Sequence, residues 1–267
     1  MTIMTEWTKY ITIVILLGLS GSVYSQSVRW PRPDQPSKQE IYSKASHYIL
    51  KLSPAGMQFS YRFGSIPNFY TENYYQFEIG QTLHPRELGS GLQALKTSIS
   101  RGFFKNYTYG KQNSLYTLRA SQGRTVYLSD KVLEKNIRLG YTYRYGISAG
   151  LIKPYYLQVP KENDGFFNRD FEYIKYTEEN REQFLDDEEI FGKAPFRYGF
   201  NEIRFAPGIH GQGGMLFDWS KDERSILATE IGLMIDFYFS SIPLMVDQSN
   251  KPFFLNLYIS LHLGKRK

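Results

Sequence analysis

The strongest constraint on the fold is an alternation of apolar and polar residues near the end of the chain. The odd positions from 253 to 263 are all apolar, whereas the even positions from 256 to 264 are Asn256, Tyr258, Ser260, His262 and Gly264. A period of two places successive side chains on opposite faces of a β-strand. The run covers about a dozen residues, enough for a tilted strand of ~9–11 residues that crosses a membrane.

The segment from Asn136 to Ser148 repeats this alternation with charged residues on one face. Apolar or aromatic residues occupy the odd positions 137–147, and the even positions include Arg138, Gly140, Arg144 and Gly146. A strand of a soluble sandwich also alternates, but glycines on the charged face indicate a narrow, crowded interior. The pattern therefore favours a barrel whose apolar face points to lipid and whose polar face points inward.

Weaker copies of the pattern bring the number of predicted strands to eight. They cover residues 46–52, 56–64, 73–84, 113–121, 135–157, 200–219, 226–239 and 252–264, with a bend expected near Pro207 and Gly208. An even number is typical of single-chain bacterial barrels. With both termini in the periplasm, the outward connections are 53–55, 85–112, 158–199 and 240–251, and the inward ones are 65–72, 122–134 and 220–225. The sequence thus predicts an all-β fold, an eight-stranded antiparallel transmembrane β-barrel with long extracellular loops.

The first residues carry an export signal rather than a membrane span. Residues 11–19 read ITIVILLGL and are followed by small residues up to Ser25. This run is too short for a transmembrane helix and fits the core of a signal peptide; an uncleaved anchor is the alternative. The predicted organisation is a cleaved signal peptide at 1–25, a periplasmic N-terminal segment at 26–45 and an outer-membrane barrel at 46–267. The 22 Tyr and 19 Phe against 3 Trp fit aromatic girdles at the two membrane interfaces.

The inward positions carry charges of both signs. The predicted cations are Lys51, Arg62, Arg119, Arg138, Arg144 and Arg204, and the predicted anions are Glu78, Glu202, Glu230 and Asp236. An eight-stranded barrel is only wide enough for its own side chains. Because an unpaired buried charge costs several kcal/mol, we expect these groups to form an interior charge network that rigidifies a closed barrel. The alternative is a path for a small solute or anion, lined by Arg62, Arg138 and Arg144.

Two predicted outer connections differ strongly in charge. Residues 161–193 contain five cations and eleven anions, a net charge of −6, whereas residues 86–111 have a net charge of +4. Aromatic residues within the acidic stretch indicate a packed loop subdomain rather than a solvated loop, which is the alternative. We expect this subdomain to bind a protein partner or lipopolysaccharide. The predicted binding residues are Arg101, Lys105, Phe171, Tyr173, Asp186, Asp187, Glu188 and Glu189.

Catalytic and cofactor chemistry has little support in the residues. The chain has no Cys, which removes thiolate metal sites and Cys nucleophiles, and the acids at 186–189 lack the spacing of a calcium loop. Ser260 and His262 share a strand face, but no orienting acid is identifiable. The 32 cations against 26 anions alternate along strands and do not indicate nucleic-acid binding. We expect a protein that is not an enzyme and has no metal or cofactor; a lipid-modifying enzyme is the alternative.

Four short segments carry a family resemblance. They are His84-Pro85-Arg86-Glu87, Tyr109-Gly110-Lys111-Gln112-Asn113-Ser114-Leu115-Tyr116, Lys153-Pro154-Tyr155-Tyr156-Leu157 and the end from Tyr258 to Lys265. Over roughly residues 40–267 the chain resembles a group of small outer-membrane β-barrel proteins from Bacteroidota-type bacteria. The resemblance implies an outer-membrane location in contact with lipid. It also implies a non-enzymatic, structural or accessory subunit of an envelope assembly, such as outer-membrane protein biogenesis or export.

Overall fold

Eight long strands account for most of the described residues. The computed structural model describes residues 42–84, 87, 107–128, 137–161, 171–186, 190–222, 224–246 and 250–267. The long strands are β1 (Lys44–Ser53), β2 (Gly56–Asn68), β3 (Thr71–Thr82), β4 (Asn113–Tyr127), β5 (Arg138–Pro154), β9 (Arg204–Asp218), β10 (Ser225–Ile242) and β11 (Lys251–Arg266). Between β5 and β9 lie the short strands β6 (Tyr156–Pro160), β7 (Phe171–Lys175) and β8 (Gly192–Lys193), the helix α1 (Arg181–Leu185) and a 3₁₀ turn at Phe200–Glu202.

The eight long strands form a closed barrel, which confirms the predicted eight-stranded antiparallel β-barrel. Their order is β1-β11-β10-β9-β5-β4-β3-β2, and every neighbouring pair is antiparallel. A row of paired residues that starts at Lys265 and follows the register once around the barrel returns to β11 at Leu255, ten residues away (265 − 255). Stagger and tilt are linked in closed barrels, so the strands are tilted by roughly 40° from the barrel axis.

Alternation along each strand separates an apolar outer wall from a polar interior. Outward residues such as Phe77 (55% exposed), Ile147 (67%) and Leu257 (63%) are large and apolar. Inward residues such as Lys51, Arg62 and Glu230 are fully buried. A wall of this kind inverts the arrangement of a soluble protein, in which extended exposed apolar patches are rare.

The structure corrects several predicted details. Arg204 and Glu202 do not face the interior, because β9 begins only at Arg204 and both residues are exposed. The predicted strand 135–157 ends at Pro154, and Tyr156 opens the separate strand β6. β9 pairs with β5 without a register shift across Pro207 and Gly208, where the sequence predicts a bend, so no bulge interrupts this ladder. Pro207 lies just beyond the last pair between β9 and β10, where β10 requires no amide from it.

The barrel interior has apolar layers near both ends. Leu115, Ile152, Tyr238 and Ile242 belong to a buried cluster at the end from which the β5–β9 connection emerges. A smaller cluster of Tyr127, Leu216 and Ala228 lies at the other end. Charged residues such as Glu78 and Asp236 lie between these layers. Arg138 and Asp218 lie level with the second layer, because Asp218 is paired in the register with both Arg138 and Ala228.

Two predictions about the N-terminal region lie outside the described residues. These are the signal peptide at 1–25 and most of the segment at 26–45. In the part of the chain that the structure describes, no helix is long and apolar enough to cross a bilayer.

Candidate functional site

The centre of the interior is an ion cluster built on Glu78 and Asp236. Arg119 donates to both Asp236 carboxylate oxygens, at 2.7 and 2.8 Å, and its third nitrogen reaches Glu78 Oε1 at 2.6 Å. Lys51 Nζ donates to Glu78 Oε2 and to Gln212 Oε1, the latter at 2.7 Å. All four charged side chains are almost completely buried. The two cations and two carboxylates therefore neutralise one another within one hydrogen-bonded unit.

A second cluster surrounds Glu230. Arg144 Nη1 donates to Glu230 Oε1 at 2.9 Å, and the Tyr258 hydroxyl donates to the same oxygen. The other carboxylate oxygen lies 3.4 Å from Arg62 Nη2 and 3.1 Å from His262 Nε2. Arg62 also stacks over the Tyr74 ring at 3.8 Å, which adds a cation–π contact.

A glycine makes room for the Tyr258 hydroxyl in this cluster. A Cβ atom on Gly232 would lie 2.8 Å from that hydroxyl and 2.2 Å from the Gly213 carbonyl oxygen. Any side chain at this position would have to displace backbone as well as the tyrosine. The glycines on the charged face thus match the crowded interior that the sequence predicted.

Further pairs lie near the end of the barrel where β1 begins. His47 Nε2 is 3.0 Å from Glu72 Oε1, and Arg266 Nη2 donates to Asp218 Oδ2 at 2.6 Å. Arg138 is sandwiched between the rings of Phe69 and Tyr127, at 4.3 and 3.8 Å. Within the described barrel strands, the buried interior residues include six Lys or Arg and five Asp or Glu.

These contacts bear on the alternative of an arginine-lined path. Arg62 and Arg144 are committed to Glu230, and Arg138 lies between two aromatic rings. A selective anion path requires cations that face a lumen. These three cations all bind protein groups, which does not match a row of cations that face a lumen.

The geometry of Ser260 and His262 also differs from a catalytic arrangement. Ser260 Oγ lies 3.1 Å from His262 Nε2, and the same nitrogen lies 3.1 Å from Glu230 Oε2. In a Ser-His-acid triad the serine and the acid bind opposite nitrogens of the imidazole, so that a proton can pass through the ring. Here both compete for one nitrogen, and both residues are buried inside the barrel, away from a lipid substrate.

At the loop end, connections between strands pack into a small subdomain. Its core consists of the buried residues Tyr107, Leu157, Phe184 and Ile190, which come from the β3–β4 and β5–β9 connections. The β10–β11 connection joins them, since the Val246 amide donates to the Gly110 carbonyl at 2.9 Å. Strands β7, β6 and β8 form a three-stranded sheet in that order, here called the loop sheet.

The loop sheet has one core face and one aromatic face. Leu157 and Ile174 are paired in the register and belong to the core side. The opposite face carries Phe171, Tyr173 and Tyr156. Phe191 packs on Phe171 at a ring distance of 4.7 Å, and Tyr198 packs on Tyr173 at 4.3 Å. These five aromatic residues define what we call the aromatic face; Phe191 is exposed and the other four are half-buried.

An exposed ion pair borders the aromatic face. Glu202 accepts hydrogen bonds from Lys175 Nζ at 2.6 Å and from the Tyr156 hydroxyl at 2.8 Å. These two bonds lower the pKa of the Glu202 carboxyl below its usual range, with Lys175 contributing most. Desolvation, followed by the Glu202 carboxylate, raises the pKa of Tyr156 to about 12. The carboxylate and the phenol are thus held in a charged and a neutral state, respectively, at neutral pH.

All seven predicted residues of the interior charge network are buried inside the barrel, namely Arg62, Glu78, Arg119, Arg138, Arg144, Glu230 and Asp236. Of the predicted binding residues, Phe171 and Tyr173 lie together on the aromatic face, and Asp186 follows α1 at an exposed position. The other five predicted binding residues lie outside the described residues; they are Arg101, Lys105, Asp187, Glu188 and Glu189. Among the residues that the structure describes, no three His, Asp or Glu side chains converge as metal ligands.

Sequence reasoning missed the Arg266–Asp218 pair. The last predicted strand ends at residue 264, whereas β11 continues to Arg266. Extending the period of two by one step, from Gly264 to Arg266, would have placed this guanidinium inside.

Comparisons with known proteins show similarity only at the level of structure. No protein-family model matches the chain, and no curated protein matches it. Similar solved structures include Neisserial surface protein A (NspA), with 6% identity over 85% of this chain and 96% of that one, and a TM-score of 0.36. A second is Ail, the attachment invasion locus protein of Yersinia pestis, solved in complex with the heparin analogue sucrose octasulfate. It has 9% identity over 85% of this chain and 100% of that one, and a TM-score of 0.37. The N-terminal β-barrel domain of Pseudomonas aeruginosa OprF has 8% identity over 86% of this chain and 100% of that one, and a TM-score of 0.31. These values carry no functional conclusion, and the fold assignment rests on the closed strand ladders described above.

Proposed function

We propose that this chain is an integral outer-membrane β-barrel that serves as a non-enzymatic accessory subunit of an envelope assembly. The apolar outer wall supports membrane insertion, because large residues such as Ile147 and Leu257 are exposed on a closed sheet. Closure leaves no unpaired strand edge in the hydrocarbon. The loop end faces outward in this proposal, and the end at which β1 begins faces the periplasm.

The aromatic face is the observation that carries the accessory role. A loop that only interacts with water does not need a sheet with its own buried core. The loop sheet instead presents Phe171, Tyr173 and Tyr198 on a rigid support, with Lys175 and Glu202 at its border. Aromatic residues surrounded by polar groups are typical of protein-binding hot spots. We infer that a protein partner docks on this face.

Affinity purification of the tagged full-length chain tests the accessory role. The double variant Phe171→Ser/Tyr173→Ser removes the centre of the aromatic face. The matched control is Leu128→Ser/Trp219→Ser, which removes two exposed large apolar side chains at the other end of the barrel. Both variants are extracted from outer membranes in mild detergent, and co-eluting proteins are quantified by mass spectrometry.

We expect a stoichiometric partner with the parent chain and with the control, and its loss with the aromatic-face variant. Retention of the partner by the aromatic-face variant would reject docking on this face. A parent chain that elutes alone would reject the accessory role itself. Conductance and lipid-hydrolysis assays on the same sample then test transport and enzymatic activity directly.

A further inference from the structure

A groove of about 870 Å³ crosses the outer wall near the start of β1. The strand register arranges its lining in rows across neighbouring strands. The row nearest the barrel end consists of Lys267, Lys44, Ser65, Asn73, Arg124 and Tyr143. Residues opposite one another in a ladder point to the same side of the sheet, and the exposed Lys44 and Arg124 show that this side is the outside.

The groove lies where polar wall changes to apolar wall. The next row, two residues further along each strand, consists of Lys265, Ser46, Phe63, Tyr75, Gln122 and Tyr145. One step beyond lie Leu263, Tyr48, Tyr61 and Phe77. Cations therefore give way to aromatic residues and then to an apolar surface, as the interface between headgroups and hydrocarbon requires.

The groove carries positive charge without compensation from its own lining side chains. The side chains of Lys44, Arg124, Lys265 and Lys267 contribute to it, and the described lining residues include no carboxylate side chain. Arg124 Nε donates to Asn73 Oδ1 at 2.7 Å, which orients the guanidinium. Gln122 Nε2 likewise donates to the Tyr145 hydroxyl at 2.7 Å. A groove that is cationic on one side and aromatic on the other is complementary to an amphipathic anion.

We propose that this groove binds an anionic phospholipid of the phosphatidylglycerol class in the leaflet at this end of the barrel. Lys44 and Arg124 are three strands apart, roughly 14 Å, and Ser65 and Asn73 lie between them in the row. The phosphate binds between them, because guanidinium and ammonium groups form strong charge-assisted hydrogen bonds with phosphate. An acyl chain extends along Phe63 and Tyr75. This inference rests on the membrane insertion proposed above.

Native mass spectrometry of the full chain in nanodiscs tests the site. The discs contain equal amounts of phosphatidylglycerol and phosphatidylethanolamine with identical acyl chains, and lipids retained after release from the disc are counted. The test variant is Lys44→Gln/Arg124→Gln/Lys265→Gln. The matched control is Lys193→Gln/Arg204→Gln/Lys251→Gln, which removes three exposed cations at the other end of the barrel. Mobility on unheated gels verifies that every variant is folded, and Lys44→Arg/Lys265→Arg provides a variant that preserves the charge.

We expect one retained phosphatidylglycerol for the parent chain, the control and the charge-preserving variant, and an about tenfold lower occupancy for the test variant, since each charge-assisted bond contributes appreciably. Equal retention of the two lipids by the parent chain would overturn the inference. An equal loss in the control would also overturn it, because the effect would then come from net charge. A parent chain that does not enter discs at all would reject the membrane placement, whereas a chain that enters without lipid preference rejects only the groove.

Discussion

Removing one charge from the Arg119–Asp236 pair should destabilise the barrel strongly. The substitution Asp236→Asn keeps the shape of the side chain but removes the carboxylate that binds Arg119 through two hydrogen bonds of 2.7 and 2.8 Å. Arg119 and Lys51 would then share Glu78 as their remaining anion within this cluster. Breaking a buried pair by removing one partner costs ~3–5 kcal/mol. The folding equilibrium constant should therefore fall by a factor of roughly 150–5,000.

A double-mutant cycle separates this charge effect from lost packing. In the double variant Arg119→Met/Asp236→Asn, Lys51 and Glu78 remain as a neutral pair, so its loss of stability should be smaller than the sum of the two single losses. The measurement is reversible urea unfolding in lipid vesicles. The comparison variant is Glu202→Gln, which removes a carboxylate from an exposed pair with Lys175 and should cost less than about 1 kcal/mol. If Asp236→Asn is no more destabilising than this comparison variant, the interior network does not hold the barrel as described.

Three further predictions concern the wall, the packing and the loop sheet. Leu257→Arg places a charge in the middle of the apolar wall and should make the free energy of folding into vesicles less favourable by ~2–4 kcal/mol. Ser65→Arg, near the barrel end, should cost only about 0–1 kcal/mol. Equal effects in a folding titration would contradict a lipid-facing wall. Gly232→Ala should destabilise the barrel by about 1–3 kcal/mol through overpacking, because its Cβ would lie 2.2 Å from a backbone oxygen. The control is Gly211→Ala, whose Cβ would meet nothing within 4 Å. Similar urea midpoints for the two variants would refute the reasoning. Because the folded pKa of Glu202 is lowered, its contribution is present above the unfolded pKa of about 4.5 and is lost as the pH falls through the lower folded value. Hydrogen-exchange protection factors, which correct for the pH dependence of intrinsic exchange, should therefore be lower at pH 3 than at pH 7 for the β6 and β7 amides of the parent chain. The decrease should be smaller in Glu202→Gln, and an equal decrease in both proteins would contradict the role of this carboxylate.

The barrel was predictable from the sequence because a closed sheet with two different environments imposes one strict period. The alternation around Tyr141 and Leu257 reports both the strand and the side that faces the interior. Charge pairing within the interior could be expected in general, since buried charges need partners. The partners themselves could not be predicted, because Arg119 and Asp236 are 117 residues apart. Their contact depends on strand order and on the ten-residue stagger of the closed barrel.

The loop sheet could not be predicted from the sequence, for a different reason. Strands β6 and β7 are five residues each and β8 is two, too short for a period to be recognised. Their stability comes from packing of Leu157 on Phe184 and Ile190 rather than from local pattern. The density of aromatic residues indicated a packed loop, but it did not indicate which of them would form the core and which the aromatic face.

The distribution of charge along the barrel places recognition at its two ends. In the middle, cations and carboxylates are paired inside, and apolar residues cover the outside. Neither surface there offers a polar group to a partner in solution. At the loop end, Lys175 and Glu202 border the aromatic face, and at the other end Lys44, Arg124 and Lys265 line a groove without a carboxylate side chain. The first combination suits a protein, because aromatic anchors with a mixed-charge border are found in protein interfaces. The second suits a phosphate ester in the membrane, because uncompensated cations lie beside an apolar wall. The two proposals together describe a chain that would hold a protein partner at the loop end while an anionic lipid fixes the opposite end in its leaflet.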